Sequence, residues 1–113
     1  MLRLKNIHPG DVLREDFLQE LRIAPATLAQ NMRVPLATVE DILACKAPVT
    51  VDIAMRLARS LGTSGRVWVG LQAQYDLEEA ELAPNADIAN IACLNPDRPP
   101  PPRWQEPTWR RIG

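Results

Sequence analysis

The chain has 113 residues, enough for one compact domain and a tail. Thirteen Lys and Arg against fourteen Asp and Glu leave a formal net charge of -1, which excludes a protein that holds nucleic acid by overall basicity and leaves only a local patch for such work. Two cysteines, Cys45 and Cys93, stand far apart without C-x-x-C spacing, so they carry no metal signature and suit a reducing compartment.

Residues 1–8 form a short lead-in with Arg3 and Lys5. A basic arm of this kind can reach a phosphate or a minor groove, although two charges at a terminus are more often simply solvated. Pro9 and Gly10 punctuate before DVLREDFLQEL, which predicts a helix with Asp11 in its first turn, where a negative charge suits the dipole. Leu13, Phe17 and Leu21 recur every four residues and predict its buried stripe, leaving Arg14, Glu15, Asp16, Gln19 and Glu20 on the wet side. His8 is the single histidine, and its surroundings favour capping or packing over catalysis.

After Arg22-Ile23, residues 24–44 read as two short helices broken at Arg33-Val34. The first buries Leu28, Ala29 and Met32; the second, after Pro35, buries Val39, Ile42 and Leu43. Pro25 and Pro35 each stand near a helix start, where a missing N–H costs nothing. Two short helices around a tight turn fit a helix-turn-helix and equally a generic αα-corner in a small bundle. Cys45 to Val49 read as a turn, and Thr50 as the cap of VDIAMRLARSL. That helix stacks Ile53, Leu57 and Leu61 on one stripe, with Arg56 and Arg59 pointing out and Gly62 stopping it. Thr63-Ser64 cap a last helix that turns Trp68, Leu71 and Tyr75 inward, with Val67 widening the face. Gly70 within that helix costs about 1 kcal/mol against alanine and would permit close approach of another helix, including one from a second subunit.

Seven of the eleven prolines follow Ala83, which divides the chain into a helical body, residues 1–83, and an extension, residues 84–113. Residues 85–96 have no clear face and fit a short helix or a strand. RPPPPRWQEPTWRRIG is a polyproline II candidate carrying Trp104, Trp109 and four arginines. It fits a segment disordered in isolation and also a docking segment in which Trp104, Trp109 and Arg110 engage a partner. No apolar run reaches the length of a membrane span and no signal segment follows Met1, which makes the cytoplasm the expected location. No paired-carboxylate, Ser/His/Asp, Cys/His or phosphate-loop constellation is present, so neither enzymatic activity, nor a cofactor, nor a metal is expected.

The opening H-P-G-x-x-L-R-E-x-F, from His8 to Phe17, and the later A-x-R-L-A-x-x-L-G-T-S-x-x-x-W, from Ala54 to Trp68, are specific in combination. With Leu28-Ala29, Val34-Pro35 and Leu71 to Leu77 they make residues 8–77 resemble the HigA-type antitoxins of the XRE/Cro helix-turn-helix group. The resemblance implies an all-α, five-helix, lambda-repressor-like domain, usually dimeric. It implies neutralisation of a HigB-type toxin, an mRNA-cleaving ribonuclease, and repression of the antitoxin's own operon through operator DNA. Under it, the DNA-facing positions are Arg33, Leu36, Ala37, Thr38, Glu40 and Lys46. Several depart from the group's pattern. Ala24-Pro25 replace Ser-Gln at the start of the second helix, Arg33 replaces glycine in the turn, and the presenting helix opens Leu36-Ala37-Thr38 instead of with polar or arginine side chains. Ala44-Cys45 stand where Asn-Gly is usual, and Lys46 is the obvious phosphate contact that survives. The alternatives are a stand-alone helix-turn-helix regulator, or an interaction module that no longer meets DNA.

Overall fold

A computed structural model describes residues 6–83, 85–95 and 97. Trp104, Trp109, Arg110 and the basic residues Arg3 and Lys5 lie outside the described residues. The described chain is helical without strands, and it divides into two compact units on either side of the Tyr75–Asp76 bond.

In the first unit, α1 covers residues 9–21, with a wide π-type turn over Leu13–Leu18 between α-helical ends Pro9–Val12 and Gln19–Leu21. There follow α2, Pro25–Met32, α3, Leu36–Leu43, and α4, Val51–Leu61. The last long helix, α5, runs Gly65–Leu82 and crosses the division. In the second unit a single turn, α6, covers Ala86–Ala89, capped by Asn85 Oδ1 accepting from Asp87 N at 2.9 Å, so the short-helix reading of that stretch holds and the strand does not.

The helix starts are chemically explained. Pro9 stands in the first turn of α1, and His8 Nδ1 accepts from Gly10 N at 2.9 Å while Asp11 Oδ2 accepts from His8 N at 3.2 Å. His8 is therefore a cap, buried edge-on against the Tyr75 ring at 4.7 Å. Thr50 Oγ1 accepts from Ile53 N at 3.2 Å and Ser64 Oγ from Val67 N at 3.3 Å.

Helix ends share one device. The last turns of α1, α2, α3 and α4 close with a residue in the left-handed region, at Arg22, Arg33, Cys45 and Gly62. In each, the N–H after that residue donates to the carbonyl five positions back: Ile23 to Leu18, Val34 to Ala29, Lys46 to Asp41 and Thr63 to Ala58. Glycine fills only the fourth. Arg22 is exposed at φ 56. Arg22→Gly is therefore expected to raise the urea midpoint by about 1 kcal/mol equivalent, whereas Arg22→Ala gains nothing. A stability drop on Arg22→Gly would contradict the strain.

The core is built from Leu13, Leu18, Leu28, Met32, Val39, Ile42, Leu57 and Trp68, all buried. One expectation for α1 fails. Leu21 is 55% exposed and Phe17 only half-buried, while Leu18 goes inside with Leu13. The wide turn takes more than the usual 3.6 residues per turn, so Leu18 comes back over Leu13 and the four-residue stripe falls out of phase. On α5, Trp68 is fully buried, but Val67 is 47% exposed and does not widen the inward face. A Cβ added at Gly70 would meet nothing within 4 Å among the described residues, so no packing among them requires that glycine.

Candidate nucleic-acid interface

The pair α2 and α3 is fixed by its neighbours at both C-terminal ends. Arg56 on α4 donates from Nη1 to Met32 O at 2.8 Å, at the end of α2, while its Nε holds Asp52 at 2.8 Å. Arg14 on α1 donates from Nη1 to Leu43 O at 2.8 Å, at the end of α3, and from Nη2 to Asp11 at 2.8 Å. The hydrogen bond to the Asp11 carboxylate raises the Arg14 pKa, so this clamp stays cationic at any working pH. A cation against the last carbonyls also suits the helix dipole. Both arginines read from the sequence as outward-facing. Periodicity assigns a side chain to a face but does not reveal that a long stem crosses to a neighbouring helix.

Other polar contacts complete the frame. Gln72 Oε1 accepts from Val49 N at 2.7 Å, tying the α3–α4 connection to α5. Asn31 donates to Ser60 Oγ at 2.8 Å, linking α2 to α4. Gly10 admits α1 to the backbone of α3, since a Cβ there would lie 1.9 Å from Ile42 O. Neither Gln72 nor Gly10 shows this role in the sequence, because the partner is backbone far along the chain.

This frame turns the outer face of α3 to solvent. Leu36 is 41% exposed, Ala37, Glu40 and Asp41 are exposed, and Thr38 is half-buried beside buried Val39. Leu36 and Glu40, four apart, and Ala37 and Glu40, three apart, share that face. Arg33 and Lys46 stand exposed at its two ends, beyond a helix of roughly 12 Å. Arg33, at φ 62, holds the turn and Lys46 follows the left-handed Cys45. Of the six expected positions, Leu36, Ala37 and Glu40 thus share this exposed face, Arg33 and Lys46 flank the helix in sequence, and Thr38 is the least available. Pro35 precedes α3 without a side-chain cap, as Ala24 does for α2. Among the described residues no cluster of His, Cys, Asp and Glu could hold a metal ion, and no helix is long and apolar enough to cross a membrane.

Two short helices around a tight turn, the second exposed along one face and locked from behind, define a helix-turn-helix domain. Comparison with known proteins narrows the class. No family model matches the chain. The Pseudomonas aeruginosa antitoxin HigA, solved with the higBA promoter, is 39% identical, with TM-score 0.74, over 80% of this chain and 100% of its own. The antitoxin GraA in complex with its operator is 35% identical, with TM-score 0.73, over 84% of this chain and 99% of its own. Among curated sequences, the HTH-type transcriptional regulator YddM of Escherichia coli strain K12 is 34% identical over 76% of this chain and 88% of its own. The chain belongs to the HigA family of helix-turn-helix antitoxins.

Proposed function

We propose that this chain is the antitoxin of a toxin–antitoxin pair. It neutralises a HigB-type toxin and represses its own operon in the cytoplasm by binding operator DNA as a homodimer. The observation that carries this reading is the match of the whole helix-turn-helix frame to an antitoxin solved with its promoter, together with an α3 face left open to solvent. DNA contact falls to Arg33, Leu36, Ala37, Thr38, Glu40 and Lys46. The extension, residues 84–113, docks on the toxin through Trp104, Trp109 and Arg110, a chemistry suited to anchoring an extended segment.

Co-expression with the product of the adjacent reading frame, followed by a pull-down and a gel shift on the upstream DNA, tests both halves. Co-purification of a small toxin and retention of the upstream fragment are expected. Retention of DNA without a toxic neighbour would leave a stand-alone regulator; capture of the partner without retention of DNA would leave an interaction module. Removing residues 96–113 is expected to weaken co-purification, and full protection of cells by the shortened chain would discard the docking role. Lys46→Ala is expected to lower affinity for every sequence and to shrink the salt slope by about one unit. An unchanged slope would take Lys46 out of the interface.

A further inference from the structure

The outer face of α3 bears little of the chemistry that usually reads bases. Its first turn presents Leu36, 41% exposed, and Ala37, exposed, after a Pro35 whose side chain offers no cap. One turn on, Glu40 and Asp41 offer carboxylates, which only accept. The major-groove edge of guanine carries two acceptors, N7 and O6, and is normally read by Arg or Lys; a carboxylate there would set acceptor against acceptor. The one apolar feature on any base edge in that groove is the 5-methyl group of thymine. We propose that Leu36 and Ala37 determine sequence preference by packing on thymine 5-methyl groups, with Glu40 accepting from an amino donor alongside. Selectivity then comes from shape and apolar contact, and the cations Arg33 and Lys46 supply the phosphate attraction that the face itself lacks.

This inference rests on the reading that the chain binds its operator, and the test separates the two. The full-length protein is titrated against the DNA upstream of its own coding sequence, made either with thymine or with deoxyuridine throughout, and against an unrelated fragment of each composition. Wild-type protein is expected to prefer the thymine fragment by roughly fourfold for each methyl it covers. Leu36→Ala, an exposed position at which the thermal midpoint should not move, is expected to reduce that preference by about fourfold. Equal binding of the thymine and deoxyuridine upstream fragments, both above the unrelated DNA, would overturn the methyl contact and leave operator binding intact. A thymine preference undiminished in Leu36→Ala would also overturn it, because the preference would then belong to DNA shape. No retention of either upstream fragment above unrelated DNA would overturn operator binding itself and this inference with it.

Discussion

Trp68→Ala is expected to destabilise the first unit by about 3–5 kcal/mol, which for a domain of ordinary stability is enough to leave much of the chain unfolded at 37 °C. Trp68 is fully buried, and its ring meets Phe17 at 5.3 Å with a 50° tilt. Its Nε1 donates to Thr63 Oγ1 at 2.8 Å, so the one polar atom of the ring is paired. Alanine would leave a cavity flanked by α1 and would strand the Thr63 hydroxyl. Trp68→Phe retains most of the apolar volume and should lose only about 1–2 kcal/mol, chiefly the hydrogen bond and the unfilled edge. Urea unfolding followed by far-ultraviolet circular dichroism measures both, since tryptophan fluorescence would also report Trp104 and Trp109. A Trp68→Ala midpoint equal to wild type would show that the ring does not hold the helices together.

Gly10→Ala is the second large effect, expected on the order of 3 kcal/mol. The new Cβ would sit 1.9 Å from Ile42 O and 2.9 Å from Ile42 C. Neither atom can yield cheaply. Ile42 O already accepts from Cys45 N at 3.0 Å, within the closing turn of α3. Relief therefore requires α1 to move off α3, which also disturbs the Arg14 bond to Leu43 O. The substitution should thus reach function as well as stability. Protein that remains folded should hold operator DNA less tightly, although no DNA-facing side chain has changed. Stability and DNA affinity both at wild-type levels would show that the helices can separate without cost.

The family assignment gives these two residues a common meaning. A helix-turn-helix presents α3 at a fixed angle, and the angle here is set from behind: Gly10 by close approach, Arg14 and Arg56 by clamping the ends of α3 and α2, and Trp68 by filling the core beneath. In this chain the exposed face of α3 carries Leu36, Ala37 and Glu40.

Much was legible in the sequence because it depends on local rules. Leu28, Ala29 and Met32, then Val39 and Ile42, fall inside as their spacing requires, since a helix repeats every 3.6 residues whatever surrounds it. Thr50, Ser64 and Gly62 cap and stop helices through groups three or four residues away. The break at Arg33, just after α2 ends at Met32, also followed from local order. Tertiary structure alone decided the rest. The wide turn in α1 brings Leu18 in and turns Leu21 out, because packing on the core outweighs the regular period. Arg14 and Arg56, placed outward by periodicity, reach carbonyls 29 and 24 positions away, and Gly10 meets a backbone 32 residues on. Spacing along a chain determines which side of a helix a residue occupies; which distant atom waits on that side is fixed only when the helices pack.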